Sequence, residues 1–213
     1  MTAPAKARGR PRTKPAELRR EELLDAAQQL FLDKGIGATS IDEIANAAAV
    51  AKGTFYLYFA SKEALLHAIQ ERFIASFCTR LEAAMERCGP NRWRPKLQAW
   101  VTTVIEGYLD NVPLHDVIFH ENQPFDRHAM SNNPAIDQFT QLLSDGAKAG
   151  AWLAEEPRGT AIMFFHALHG AVDAAIDQNS KVNRPRLTRS IITFIERALC
   201  VREGAEPATR TRR

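Results

Sequence analysis

Apolar side chains recur along this chain at the i, i+3, i+4 spacing of an α-helix, and no stretch alternates as a strand does. A fold has to be built by packing helices on helices. Leu23, Leu24, Ala27, Leu30 and Phe31 form one such stripe, and Gly35 stands where a left-handed residue would stop it, so a first helix is predicted over Glu17–Lys34. Ser40 followed three residues on by Glu43 is a capping-box pattern, with Ile41, Ile44, Ala45 and Ala48 as the buried stripe behind it. The pattern breaks at Ala49–Val50–Ala51 and resumes in Phe55, Tyr56 and Phe59, which leaves a short helix over Lys52–Tyr58. Two short helices joined by a tight turn, the second too short to be stable alone, make a helix-turn-helix.

Ser61 can cap the next helix, whose period runs through Leu65, Leu66, Ile69, Phe73, Phe77 and Leu81 to Glu86, before Cys88–Gly89–Pro90–Asn91 stops it. Five more helices are expected at Arg94–Asp110, Pro113–Glu121, Pro134–Leu153, Pro157–Gln178 and Arg184–Val201, with Asn122–Asn133 the longest interior loop. The expected fold is all-α, with about nine helices and no internal repeat. Residues 1–16 read as a disordered basic arm and 17–77 as a three-helix domain with its helix-turn-helix at about 40–59. Residues 78–202 read as a second, helical-bundle domain, and 203–213 as a flexible tail.

The 213 residues suffice for a substantial core, and 45% hydrophobic with 25% charged residues excludes disordered and collagen-like chains. No uninterrupted run of 18 apolar residues occurs, so no membrane span is expected, and the polar, basic N-terminus is not a secretory signal. Cys78, Cys88 and Cys200 are too widely spaced for a metal ribbon and odd in number, as expected of reduced thiols in the cytoplasm. The net charge of +3 is carried entirely by residues 1–62, which hold 10 Lys and Arg against 7 Asp and Glu. Positive charge gathered at one end suits a polyanionic partner.

Residues Thr39 to Lys62 resemble the DNA-binding segment of the TetR family of bacterial transcriptional regulators (TetR/AcrR-like). Ile44-Ala45, Lys52-Gly53-Thr54-Phe55-Tyr56, Tyr58-Phe59 and Ser61-Lys62 stand at the family's spacing, with Gly35 and Thr39 ahead of them. The resemblance covers about residues 17–77 and implies a recognition helix in the major groove. Lys52, Gly53 and Thr54 bring a charge, a close-approach position and a hydroxyl with a methyl, while Tyr56 and Tyr58 offer hydroxyls to phosphates. Thr39, Ser40 and Lys62 are expected to bind further phosphates at helix N-termini. Two positions depart from the family pattern. Ala49 stands where a turn glycine is common, a cost of about 1 kcal/mol if the left-handed backbone is kept. Ala51 replaces a Ser or Thr cap, which costs roughly 0.5–2 kcal/mol. In the arm, Arg8-Gly9-Arg10-Pro11 resembles an AT-hook core, placing Arg8 and Arg10 in a minor groove; a solvated tail adding phosphate affinity is the plainer reading.

A DNA-reading domain does not need the remaining helices, so these are expected to dimerise, to sense, or both. The segment Pro157–Gln178 is apolar nearly all round, and the last helix carries a wide stripe. The resemblance implies that these two helices pair with their two-fold mates, with Leu168, Ala171, Val172, Ala175, Ile191, Ile195 and Leu199 as candidate interface residues. Candidates to line an effector pocket are Phe73, Phe77, Trp100, Tyr108, Phe119, His120, Phe139, Phe165, His166 and His169. The histidines His115, His120, His166 and His169 read first as surface or hydrogen-bonded core groups, although His115, Asp116 and His120 lie close in sequence; no metal, cofactor or catalytic residue is expected. The function expected is a ligand-responsive homodimeric repressor of a pseudo-palindromic operator. The alternatives are a constitutive A·T-preferring DNA-binding protein and a helical metal-binding protein or enzyme using the four histidines.

Overall fold

The computed structural model describes residues 15–120, 133–178 and 181–201. The basic arm with Arg8 and Arg10, Glu121 with most of the interior loop, and the tail from residue 202 lie outside the described residues. Among the described residues there are nine α-helices, one π-helical turn and no strand. The helices are α1 (Ala16–Lys34), α2 (Ile41–Ala47), α3 (Lys52–Tyr56), α4 (Lys62–Glu86), α5 (Trp93–Asp110), α6 (Val112–His115), α7 (Pro134–Lys148), α8 (Pro157–Gln178) and α9 (Arg184–Ala198), with the π turn Asp116–His120 following α6 directly. Two compact units, residues 1–69 and 70–213, divide within α4.

In the first unit, Leu23, Leu24, Ala27 and Phe31 of α1 are buried against Ile44 and Ala45 of α2, Phe55 of α3, and Phe59. Gly35 closes α1 at φ 82°, its amide bonded to the Phe31 carbonyl, as the left-handed stop requires. The Ser40–Glu43 capping box is formed in both directions. Helix α3 ends at Tyr56, two residues before the expected Tyr58; Leu57 and Tyr58 close it with bonds to Thr54 and Phe55 carbonyls.

The second unit is centred on α5, α7 and α8. Trp100 and Phe139 stack face to face at its heart, ring centroids 3.9 Å apart and planes 9° from parallel. Trp152 lies across α7, where a Cβ at Gly146 would meet its ring at 2.0 Å; the glycine is what lets the indole in. The Trp152 indole N–H donates to the Leu143 carbonyl, 2.9 Å. Trp152 was expected inside a helix reaching Leu153, but α7 stops at Lys148 and Gly150, at φ 74°, turns the chain so that the indole folds back. Helix α9 is tied to α5 by Arg94, whose guanidinium grips Glu196 with two bonds of 2.9 Å. Two further boundaries move: α9 ends at Ala198, with Cys200 at φ 50°, and the segment expected as one helix from Pro113 begins at Val112 and widens into the π turn at Asp116.

Helix α8 is long and apolar enough, by length and composition alone, to cross a membrane. Within this chain it buries Ala161, Phe164, Phe165, Leu168 and Val172 in the bundle.

Candidate functional site

The turn between α2 and α3 keeps the left-handed backbone with alanine in place: Ala49 has φ 53°. Ala51 precedes α3 with no side-chain cap. The helix is held from beneath instead, by Phe55, fully buried, edge-on to Tyr56 and tilted against Phe59. This leaves Lys52, Gly53 and Tyr56 exposed and Thr54 and Tyr58 half-buried on one short element. A Cβ at Gly53 would meet nothing within 4 Å, so the position is open to whatever approaches the helix. Lys52 reaches back to Asp42 of α2 at 3.0 Å, and that bond raises its pKa. Both partners are exposed, so a phosphate can compete for the ammonium.

The start of α2 is electrostatically firm. The Glu43 carboxylate accepts from the Lys34 ammonium at 2.5 Å, from the Ser40 amide at 2.9 Å and from the Ser40 hydroxyl at 2.8 Å. Those bonds, that from Lys34 foremost, bring its pKa down to about 2. Ser40 is exposed beside this carboxylate. Thr39 is a correction: its side chain was expected on a phosphate, but it is 2% exposed and its hydroxyl donates to the Gly35 carbonyl at 2.8 Å. It locks the end of α1 to the start of α2. Lys62 sits half-buried, its ammonium donating to the carbonyls of Ile36 and Thr39, so a structural duty stands beside the phosphate contact expected of it. The Lys62 duty does not show in a linear pattern, because its two partners lie 23 and 26 residues away.

In the second unit the structure brings together most of the expected pocket residues. Phe73 stacks on Phe77 and meets the edges of Phe119 and His115. Tyr108 lies 4.0 Å, ring to ring, from His115 and 5.4 Å from His169, which in turn lies 4.2 Å from Phe165. His120 stands 5.2 Å from His115. The Tyr108 hydroxyl donates to Asp173, a partner the sequence reading missed because it lies 65 residues on. Burial first, and then that bond, raise the Tyr108 pKa, so the phenol stays protonated. Burial, together with the neighbouring His169 and His120, pushes His115 down to about 3, and burial lowers His169 as well. At neutral pH both are uncharged rings.

Three of the expected pocket residues stand apart from this cluster. Trp100 and Phe139 are fully buried and stacked on each other in the core. Among the described residues His166 meets one ring, that of Phe165, and belongs to another row of α8. The interface candidates need a larger correction. Leu168, Val172, Ile191, Ile195 and Leu199 are at most 7% exposed within the single chain and belong to its own core, with Ala171 and Ala175 half-buried at the margin. The outward stripe is instead Met163, Ala167, Gly170 and Ala174 of α8 with Phe194 and Ala198 of α9; Met163 is 64% and Phe194 55% exposed. A helix apolar all round offers every phase as a candidate face, and only packing selects one.

A buried-footed short helix, set after a capped helix and a tight turn and bearing exposed Lys52, Gly53 and Tyr56, defines the helix-turn-helix class of DNA-reading regulators. Residues 23–69 match the family model described as bacterial regulatory proteins, tetR family. The likeness to the tetR family thus lies within the first unit. The transcriptional activator FasR of Mycolicibacterium smegmatis is 32% identical over 102 residues, 48% of this chain and 43% of that protein. The transcriptional repressor NemR of Escherichia coli K12 is 37% identical over 92 residues, 43% and 46% of the two chains. The matched stretch thus spans less than half the length of either relative. The solved structure of FadR from Bacillus subtilis in complex with stearoyl-CoA superposes with a TM-score of 0.69 at 21% identity, covering 82% of this chain and 96% of that one, a likeness of fold.

Proposed function

We propose that the chain is a cytoplasmic, homodimeric transcriptional repressor that binds a pseudo-palindromic operator and leaves it when a small molecule binds the second unit. The observation that carries this reading is α3, which exposes Lys52, Gly53 and Tyr56 beside half-buried Thr54 while Phe55 anchors the helix in the core. Half-buried Tyr58 and Lys62 and exposed Ser40 would then set register on the phosphates. Relatives include a named activator and a named repressor. Repression is the simpler physical outcome, because a dimer seated on an operator blocks initiation by occupancy alone.

A single five-residue helix reads too few base pairs for specificity, so the reading requires two chains on successive major grooves. The exposed stripe of α8 and α9 is the surface that supports such pairing. The aromatic cluster around Tyr108, with a protonated phenol and neutral imidazoles, suits an apolar or aromatic effector carrying a polar group. Helix α4 runs unbroken from Lys62 to Glu86, so displacing its Phe73–Phe77 segment is a mechanical route to the DNA-reading end.

The test is selection of duplexes from a random library by the purified full chain, followed by footprinting. A two-fold symmetric site with half-sites about one helical turn apart is expected, lost in a Thr54→Ala/Tyr56→Ala variant that keeps its stability. Uniform coverage without enrichment, or a footprint unaltered by that double substitution, would overturn the reading.

A further inference from the structure

We propose that His115, Asp116 and His120 form a binding site for a divalent transition-metal ion of the zinc class. Helix α6 passes directly into the π turn Asp116–His120. A π turn bonds each amide to the carbonyl five residues back, so the wider coil sets His120 beside His115 across one turn. An ordinary α-helical turn would carry the two rings to different faces. Their centroids are 5.2 Å apart, with planes tilted by 50°. One ligating atom from each of His115, Asp116 and His120 lies within 4.8 Å of the others. Ligand atoms sharing a tetrahedral zinc ion stand about 3.3–3.5 Å apart, given bonds of about 2.0–2.2 Å. Small rotations of the exposed Asp116 and His120 side chains close that difference.

A second observation is independent of this spacing. Among the described residues, Nδ1 of His115 is buried without a hydrogen-bond partner. Buried ring nitrogens almost always find a partner, so an orphaned one calls for an explanation, and a bound cation is one that the neighbouring groups supply. Two imidazoles and one carboxylate exclude the hard ions Ca²⁺ and Mg²⁺, which take oxygen ligands, and favour Zn²⁺, Co²⁺ or Ni²⁺. Three protein ligands leave a tetrahedral ion one open position for water or a polar ligand. His169, with its ring 6.0 Å from His115 and its Nδ1 bonded to the Phe165 carbonyl, is outside the triad. The site does not depend on the regulatory reading, since it is read with metal alone.

The experiment uses the full, untagged, metal-stripped chain titrated with Co²⁺, followed by its visible ligand-field bands, with Zn²⁺ added to displace it. One Co²⁺ per chain is expected, displaced by Zn²⁺. His120→Ala and Asp116→Asn should each lower affinity at least tenfold, and because both side chains are exposed these variants should fold normally, as circular dichroism will verify. His166→Ala, off the cluster, should bind as the native chain does. Absence of bands at excess Co²⁺, undiminished binding in His120→Ala, or an equal loss in His166→Ala would each overturn the proposal.

Discussion

The ammonium of Lys62, in the first turn of α4, donates to the backbone carbonyl of Thr39, 2.8 Å away and 23 residues earlier in the chain. A second bond, to the Ile36 carbonyl at 2.7 Å, makes the side chain a clamp on the loop between α1 and α2. Lys62→Met should therefore lower stability by about 1–3 kcal/mol, read as a shift in the urea midpoint, in addition to any weakening of DNA binding. A variant that bound DNA less well with an unchanged midpoint would leave Lys62 as a phosphate contact only.

Glu43 makes the first unit sensitive to acid in a defined window. Its folded pKa, about 2, lies below its ordinary value of 4.5, so its contribution is complete above that value and is lost as pH falls from there toward 2. The stability difference between the native chain and Glu43→Gln should be widest at neutral pH and shrink steadily over that acid range. A difference independent of pH would contradict the bonds from Lys34 and Ser40.

Ala49 holds a left-handed backbone at φ 53° without being glycine. The strain is roughly 1–2 kcal/mol, part of which glycine's greater freedom in the unfolded chain would cancel. Ala49→Gly should raise stability by up to about 1 kcal/mol in thermal unfolding, with the recognition helix unchanged.

Gly146 admits the Trp152 ring, since a Cβ there would lie 2.0 Å from the ring's Cζ2 atom. Gly146→Ala should cost about 1–3 kcal/mol or more and alter the near-ultraviolet dichroism of the indole.

Met163 and Phe194 test the proposed pairing surface. Met163→Asp with Phe194→Asp should yield a folded monomer by sedimentation and abolish tight operator binding. Leu168→Ala should instead lower protomer stability by about 2–5 kcal/mol, because that side chain is 1% exposed in the single chain. A dimer surviving the double substitution would place the interface elsewhere.

The DNA-reading end was the more legible half of the molecule. Its signals are local: a capping box spans Ser40 to Glu43, and a short apolar period carries α1, so neighbours in sequence are the partners in space. The departures at Ala49 and Ala51 were also visible as residue types, and the backbone they occupy is the one anticipated. The second unit was legible as helices but not as surfaces. Nothing in the period of α8 distinguishes Met163, which faces out, from Leu168, which faces in.

Helical period, caps, breakers and the gathering of positive charge were properties of the chain itself, because each depends on residues a few positions apart. The burial of Thr39, the clamp by Lys62, the stacking of Trp100 on Phe139 and the outward phase of α8 were decided only by tertiary packing. These depend on which distant side chains arrive first at the same volume, and close packing admits one arrangement among several that the pattern allows equally.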